Sequence, residues 1–147
     1  MADDADSTLG RLKERREQLG DAADDLERAI TGAGDADAWR ANVRGAVARV
    51  GVALDGHVRE VESEGGLYDE IMASSPRLAH DIDRLRAEHE AMAQKITELS
   101  GALEGGMVPV EDAREGCLML LIDISRHRHR GADLLWEFYD VDIGPSD

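Results

Sequence analysis

The chain has 147 residues, enough for one domain with a substantial core. Charged residues make up 33% and aromatics 3%, a composition that favours helices packed on helices over sheets. The net charge of -15 would be repelled by phosphate backbones and anionic membranes, so neither nucleic acid nor a membrane is an expected partner.

The lone cysteine, Cys117, leaves no intramolecular disulfide to form. No apolar run approaches the length of a membrane span, and the acidic start is unlike a signal peptide. The expected compartment is the cytoplasm. Residues 1–7 read as a disordered acidic tail, residues 8–142 as the folded domain and residues 143–147 as a C-terminal tail.

The first helix is expected to start at Ser7, a good N-cap, and to run to about Ile30. Its apolar seam is Leu9, Leu12, Leu19, Ala23, Leu26 and Ile30, interrupted by Arg16. Thr31-Gly32-Ala33-Gly34 is a turn, with Asp35 or Asp37 as the next cap. The second helix carries Trp39, Val43, Val47, Val50, Leu54, His57 and Val61 at seam positions. Gly65-Gly66 breaks it, and Leu67 to Ser74 has the look of a short helical turn.

Ser75-Pro76 should open the third long helix, with serine as cap and proline at the first position. Its seam is Leu78, Ile82, Leu85, His89, Met92, Ile96 and Leu99. Gly105-Gly106 ends it. Pro109, Glu111 and Asp112 then start the fourth, with acids at the positive end of the helix dipole. Its seam is Ala113, Cys117, Leu120, Ile124, His127, Gly131, Leu134 and Phe138. Four seamed helices with short links predict an all-α, up-down-up-down four-helix bundle.

Three seams carry a histidine at comparable depth: His57, His89 and His127. A buried imidazole needs a partner for each ring nitrogen, so seams mostly exclude it. Convergence of three is how a helical bundle builds a metal site, and imidazole suits iron or zinc. Carboxylates that can ligate or support such a site are Glu60, Glu62, Asp123 and Asp133. His80 lies on the opposite side of its helix from His89, and His129 sits in an exposed row with Asp133 and Glu137. The seam position of Cys117 suits a small core residue better than a redox thiol.

The stretch His57-Val-Arg-Glu-Val-Glu62 with Gly-Gly-Leu67-Tyr68 after it, then Leu85-Arg-Ala-Glu88-His89, then Arg126-His127-Arg-His-Arg130-Gly-Ala-Asp133, resembles the hemerythrin-like (HHE cation-binding) family. The continuation Trp136-Glu-Phe-Tyr139-Asp-Val-Asp142 is similar to a bacterial subgroup, and the resemblance spans nearly the whole chain. It implies a four-helix bundle around non-haem iron, with oxygen, nitric oxide or peroxide as the small ligand that is handled or sensed. That family uses histidines from all four helices and two bridging carboxylates.

This chain departs from that set. Arg16 stands where the first helix should offer histidine, and Val61 stands four residues after His57, between Glu60 and Glu62. Gly131 and Ala132 occupy the positions expected to carry an acid after His127. The remaining ligand set is His57, His89 and His127, with Glu62 as the carboxylate. That set suits a mononuclear site with an open position, where the complete family set would hold two irons.

Three rival readings predict different behaviour. A small peroxidase-like or ferroxidase-like enzyme would turn over with iron and lose that activity in His127→Ala. A metal-free scaffold would use the histidines and Arg16 as a buried polar network that fixes helix register. A pH switch would let the three imidazoles charge and repel one another below about pH 6. Neither a nucleophile–base constellation for hydrolysis nor a glycine-rich phosphate loop is present.

Overall fold

The computed structural model describes residues 2–142, and the side chains of residues 9–139. Every regular element among them is helical: α1 (Ala2–Ile30), α2 (Ala36–Glu62), α3 (Leu67–Ser74), a 3-10 turn (Pro76–Leu78), α4 (Ala79–Gly105) and α5 (Val110–Asp142). The four long helices form a bundle in which α1 packs on α2, α2 on α4, α4 on α5 and α5 on α1. Among the described residues no helix is long and apolar enough to cross a membrane.

Each long helix buries the stripe its spacing dictates. In α2 the buried residues are Trp39, Val43, Ala46, Val47, Val50, Leu54, His57 and Val61. In α4 they are Ile82, Leu85, His89, Met92, Ile96, Leu99 and Leu103. Steps of three and four keep such residues on one face of a 3.6-residue helix. The α1 stripe is Leu12, Leu19, Ala22, Leu26 and Ile30. Leu9, expected in that seam, is 40% exposed, and the core begins one turn later at Leu12.

The ends show why helix boundaries differ from the expected ones. Helix α1 already starts at Ala2, ahead of the Ser7 cap, and runs through Asp3, Asp4 and Asp6. Acids in a first turn favour the positive end of the dipole. Of the two candidate caps for α2, Asp35 serves: its carboxylate accepts the Ala38 N–H at 2.8 Å. At the other end of that turn the Ile30 carbonyl accepts from the Trp39 indole at 3.2 Å and from Arg114 at 3.4 Å. A helix-terminal acceptor is thereby satisfied.

Pro76 opens a 3-10 turn, so α4 starts only at Ala79 and Ser75 makes no side-chain cap bond. Gly106 ends α4 in the left-handed conformation, φ 65°, which glycine adopts without Cβ strain. The closing Gly144-Pro145 falls outside the described residues.

The apolar core is in two parts. One contains Leu19, Leu26, Trp39, Val47, Leu54, Met92, Cys117 and Ile124. The other contains Leu12, Val61, Tyr68, Ile71, Leu85, Leu134 and Phe138. On each long helix the chain crosses from one part to the other at a polar residue. Those residues are Arg16 between Leu12 and Leu19, His57 between Leu54 and Val61, His89 between Leu85 and Met92, and His127 between Ile124 and Leu134.

Candidate metal centre

His57, His89 and His127 are buried, at 7%, 3% and 3% exposure, and their ring nitrogens gather within 4.8 Å of one another. His127 is the hub. Its Nε2 lies 3.0 Å from His89 Nε2 and 3.4 Å from His57 Nε2. The rings meet edge to face, with centroids 4.6–5.5 Å apart. Imidazoles from two helices therefore aim Nε2 at the Nε2 of His127 on a third.

The spacing is informative. Nitrogens bound to one ion at about 2.1 Å stand about 3.0 Å apart for a 90° angle and about 3.4 Å for a tetrahedral one. Those separations match the two Nε2 contacts of His127.

Proton placement follows from the outer nitrogens. His127 Nδ1 lies 2.9 Å from Glu88 Oε1. The carboxylate can only accept, so Nδ1–H donates and Nε2 carries the lone pair. Arg130 donates to the other oxygen of Glu88 and fixes it. His89 Nδ1 faces Glu62 Oε1 at 3.6 Å, beyond hydrogen-bond distance. His57 Nδ1 and His89 Nδ1 are buried without a hydrogen-bond partner. With His127 in this tautomer, its Nε2 lone pair meets the inner nitrogens of two rings whose outer nitrogens make no hydrogen bond. That arrangement calls for a proton or a cation at the centre.

Burial keeps all three rings neutral. Burial first, then the charges of His127 and Arg16, hold His57 down at about 4. Burial, then His127, His57 and Arg86, hold His89 at about 3. Burial lowers His127 to about 4. Neutral imidazole is the metal-binding form.

The surroundings brace the rings. Glycines at 65 and 66 turn the chain so that α3 tucks Tyr68 against His89, the rings stacked at 7° and 6.1 Å. Gly65 has φ 74°, the left-handed region. Arg86 lies over the Tyr68 ring at 5.4 Å and 3.6 Å from Glu62. Burial of Tyr68, then the charge of Glu62, raises its phenol well above the usual range. Burial, opposed by Arg86 and aided by Glu90, raises Glu62 as well.

Of the carboxylates singled out from spacing, Glu62 is at the site, at the outer nitrogen of His89 rather than at the meeting point of the Nε2 atoms. Asp123 is not at the site: it pairs with Lys95 at 2.5 Å. Glu60 is taken by Arg11 at 3.1 Å. Asp133 is exposed beside a separate surface cleft with Arg130 and Glu137. His80 and His129 are exposed, His129 near the Ser125 carbonyl at 3.2 Å. Cys117 is fully buried and burial pushes its thiol up to about 11, as suits a core residue.

The partner of His127, Glu88, was not among the expected acids. The available signal was its place beside the His89 seam, on the flank from which α4 meets α5.

Comparison with family models, with curated proteins and with solved structures gave no match.

Proposed function

We propose that this chain is a metal-binding four-helix bundle of the hemerythrin-like kind, holding one non-haem iron on His57, His89 and His127. The observation that carries the reading is the gathering of three buried, neutral imidazoles, with His127 Nε2 at separations from the other two Nε2 atoms that suit a shared ion. Glu88 behind His127 orients and polarises that imidazole, the arrangement usual for histidines that bind metals, and Glu62 stands 3.6 Å from the outer nitrogen of His89.

The up-down-up-down order is supported by pairs that run in opposite directions along neighbouring helices. Arg11 meets Glu60 while Trp39 meets Ile30, and Lys95 meets Asp123 while Glu88 meets His127. Three nitrogen ligands leave coordination positions free. Iron bound there would supply redox chemistry towards oxygen, nitric oxide or peroxide. The chain's own part is to hold the ion, fix the His127 tautomer and exclude bulk water with Leu12, Leu19, Leu85 and Leu134.

Arg16 favours a second reading. Its charge already opposes protonation of His57 and would oppose a cation too, which suits a metal-free polar layer that fixes helix register.

Elemental analysis of untagged protein produced with added iron decides between them, with His57→Ala and His127→Ala alongside. About one iron per chain, lost in both variants, supports the single-ion site. About two would mean a di-iron centre with ligands beyond the three histidines. No metal in any of the three proteins would leave the polar-layer reading.

A further inference from the structure

Among the described residues, eight large apolar side chains are exposed, and four of them lie on α5: Leu118, Met119, Ile122 and Trp136. Leu118, Met119 and Ile122 are exposed by 46%, 48% and 44%, and steps of three and four make them one patch on the helix surface. The same steps place Glu111, Glu115, Ser125 and His129 with Leu118 and Ile122 on a second stripe, opposite the buried stripe of α5. The neighbouring helices meet α5 at the flanks of this stripe. Arg114 donates to the Ile30 carbonyl of α1 on one side, and Asp123 meets Lys95 of α4 on the other. The stripe therefore has the spacing of a helix-packing seam and is left uncovered.

Its charges indicate what fits there. Glu111 and Glu115 precede the apolar patch, and Arg126 and His129 follow it. Measured from the level midway between Leu118 and Ile122, Glu115 lies about 8 Å before and Arg126 about 9 Å after, at the rise of a helix. Glu111 and His129 lie about 14 Å to either side. Such a face is complementary to itself turned end for end. Among the described residues neither Glu115 nor Arg126 forms an ion pair, so both are open to a partner.

We propose that this face of α5 docks a second copy of the chain, with the two α5 helices antiparallel about a twofold axis at the level between Leu118 and Ile122. Leu118 of each copy then lies against Ile122 of the other, and Glu115 of each beside Arg126 of the other. A parallel pairing would set like charges side by side and align the helix dipoles. The antiparallel register also carries Trp136, 71% exposed, past the start of the other copy's α5, the end where Met107 is 89% exposed. The patch is small beside the roughly 1,200–2,000 Å² of a stable interface, so the dimer is weak, with Kd at about 0.1 mM. It faces away from the histidines and stands whether or not they hold a metal.

Sedimentation equilibrium from about 10 µM to about 1 mM chain tests this, a range that brackets the expected Kd. Salt at about 0.15 M screens the net charge of -15 beyond about 8 Å. The average mass should climb towards that of two chains as concentration rises. Glu115→Arg alone and Arg126→Glu alone should each weaken the dimer at least about fivefold, because each sets like charges together twice. An equimolar mixture of the two variants should recover the wild-type association, since each supplies the charge the other lacks.

Leu118→Asp changes only the exposed stripe and should leave a monomer, with circular dichroism checking that every variant keeps its helices. That variant carries the test if a charge reversal does not fold. A chain that stays monomeric up to the highest concentration would overturn the proposal and leave the face to a different protein or to none. A dimer untouched by Leu118→Asp would place the contact elsewhere and overturn it as well. A mixture that associates no better than the single variants would overturn the antiparallel pairing.

Discussion

Acid should unfold the metal-free protein unusually early, and the three histidines set the size of the effect. Above about pH 7.5 both folded and unfolded chains carry almost entirely neutral imidazoles, so these groups contribute little pH dependence. Below that, the unfolded chain takes up three protons that the folded chain refuses, since its rings are held at about 4, 3 and 4. Stability therefore falls as pH falls. The loss levels off only below the folded values, where both states are charged.

From pH 7 to pH 5 each ring costs about 2 kcal/mol, and the three together about 5–6 kcal/mol. That is comparable with the whole stability of a small domain. It corresponds to a drop in Tm of about 10–20 °C. Relief of the repulsion among acidic groups works the other way, but ordinary carboxylates titrate mostly below pH 5. Melts in the presence of chelator at pH 5, 6, 7 and 8 read the effect directly. His57→Leu, which replaces the ring by an apolar side chain of similar bulk, should retain about two-thirds of it. A Tm that is flat between pH 7 and 5, or a variant with the full wild-type dependence, would refute the reasoning.

Glu88→Gln removes the charged acceptor behind His127 and should weaken metal binding about 10–100-fold in a chelator competition; unchanged affinity would remove Glu88 from the site. Gly66→Ala puts a methyl 2.8 Å from the Ser63 carbonyl oxygen and 3.0 Å from that of Glu60, backbone atoms that cannot step aside. A loss of about 1–3 kcal/mol in urea unfolding is expected, and an equal or higher midpoint would contradict the packing described. Cys117, with its thiol pushed up to about 11 and no exposure, should be silent to a thiol reagent at pH 8 in the native state. One thiol per chain should react on unfolding, and fast native labelling would count against the buried position.

How much of this was legible beforehand depended on the kind of signal. Steps of three and four along α2 and α4 picked out nearly every buried residue, histidines included, because a seam position is fixed by helix geometry alone. Helix starts were less legible. Ser7 looked like a cap, but a helix that already begins at Ala2 with acids in its first turn has no need of one there. Pro76 was read as the first residue of α4, and the backbone spends one 3-10 turn before settling at Ala79.

The supporting carboxylates were the least legible part. Asp123 shares a helix face with His127, four residues away, yet Lys95 from the neighbouring helix claims it. Glu88 sits one residue off a seam, where periodicity ranks a side chain as neither core nor surface. Only the approach of α5 turns it into the acceptor for His127 and Arg130. The stacking of Tyr68 on His89 likewise depends on how the glycine turn folds α3 back, which no local pattern encodes.

The central claim is one ion held by three imidazoles. X-ray absorption at the metal edge of the loaded protein tests it most directly. Three imidazole nitrogens at about 2.1 Å and no second metal nearby are expected. A metal scatterer at about 3.5–4 Å, or a shell with fewer than two imidazoles, would contradict it.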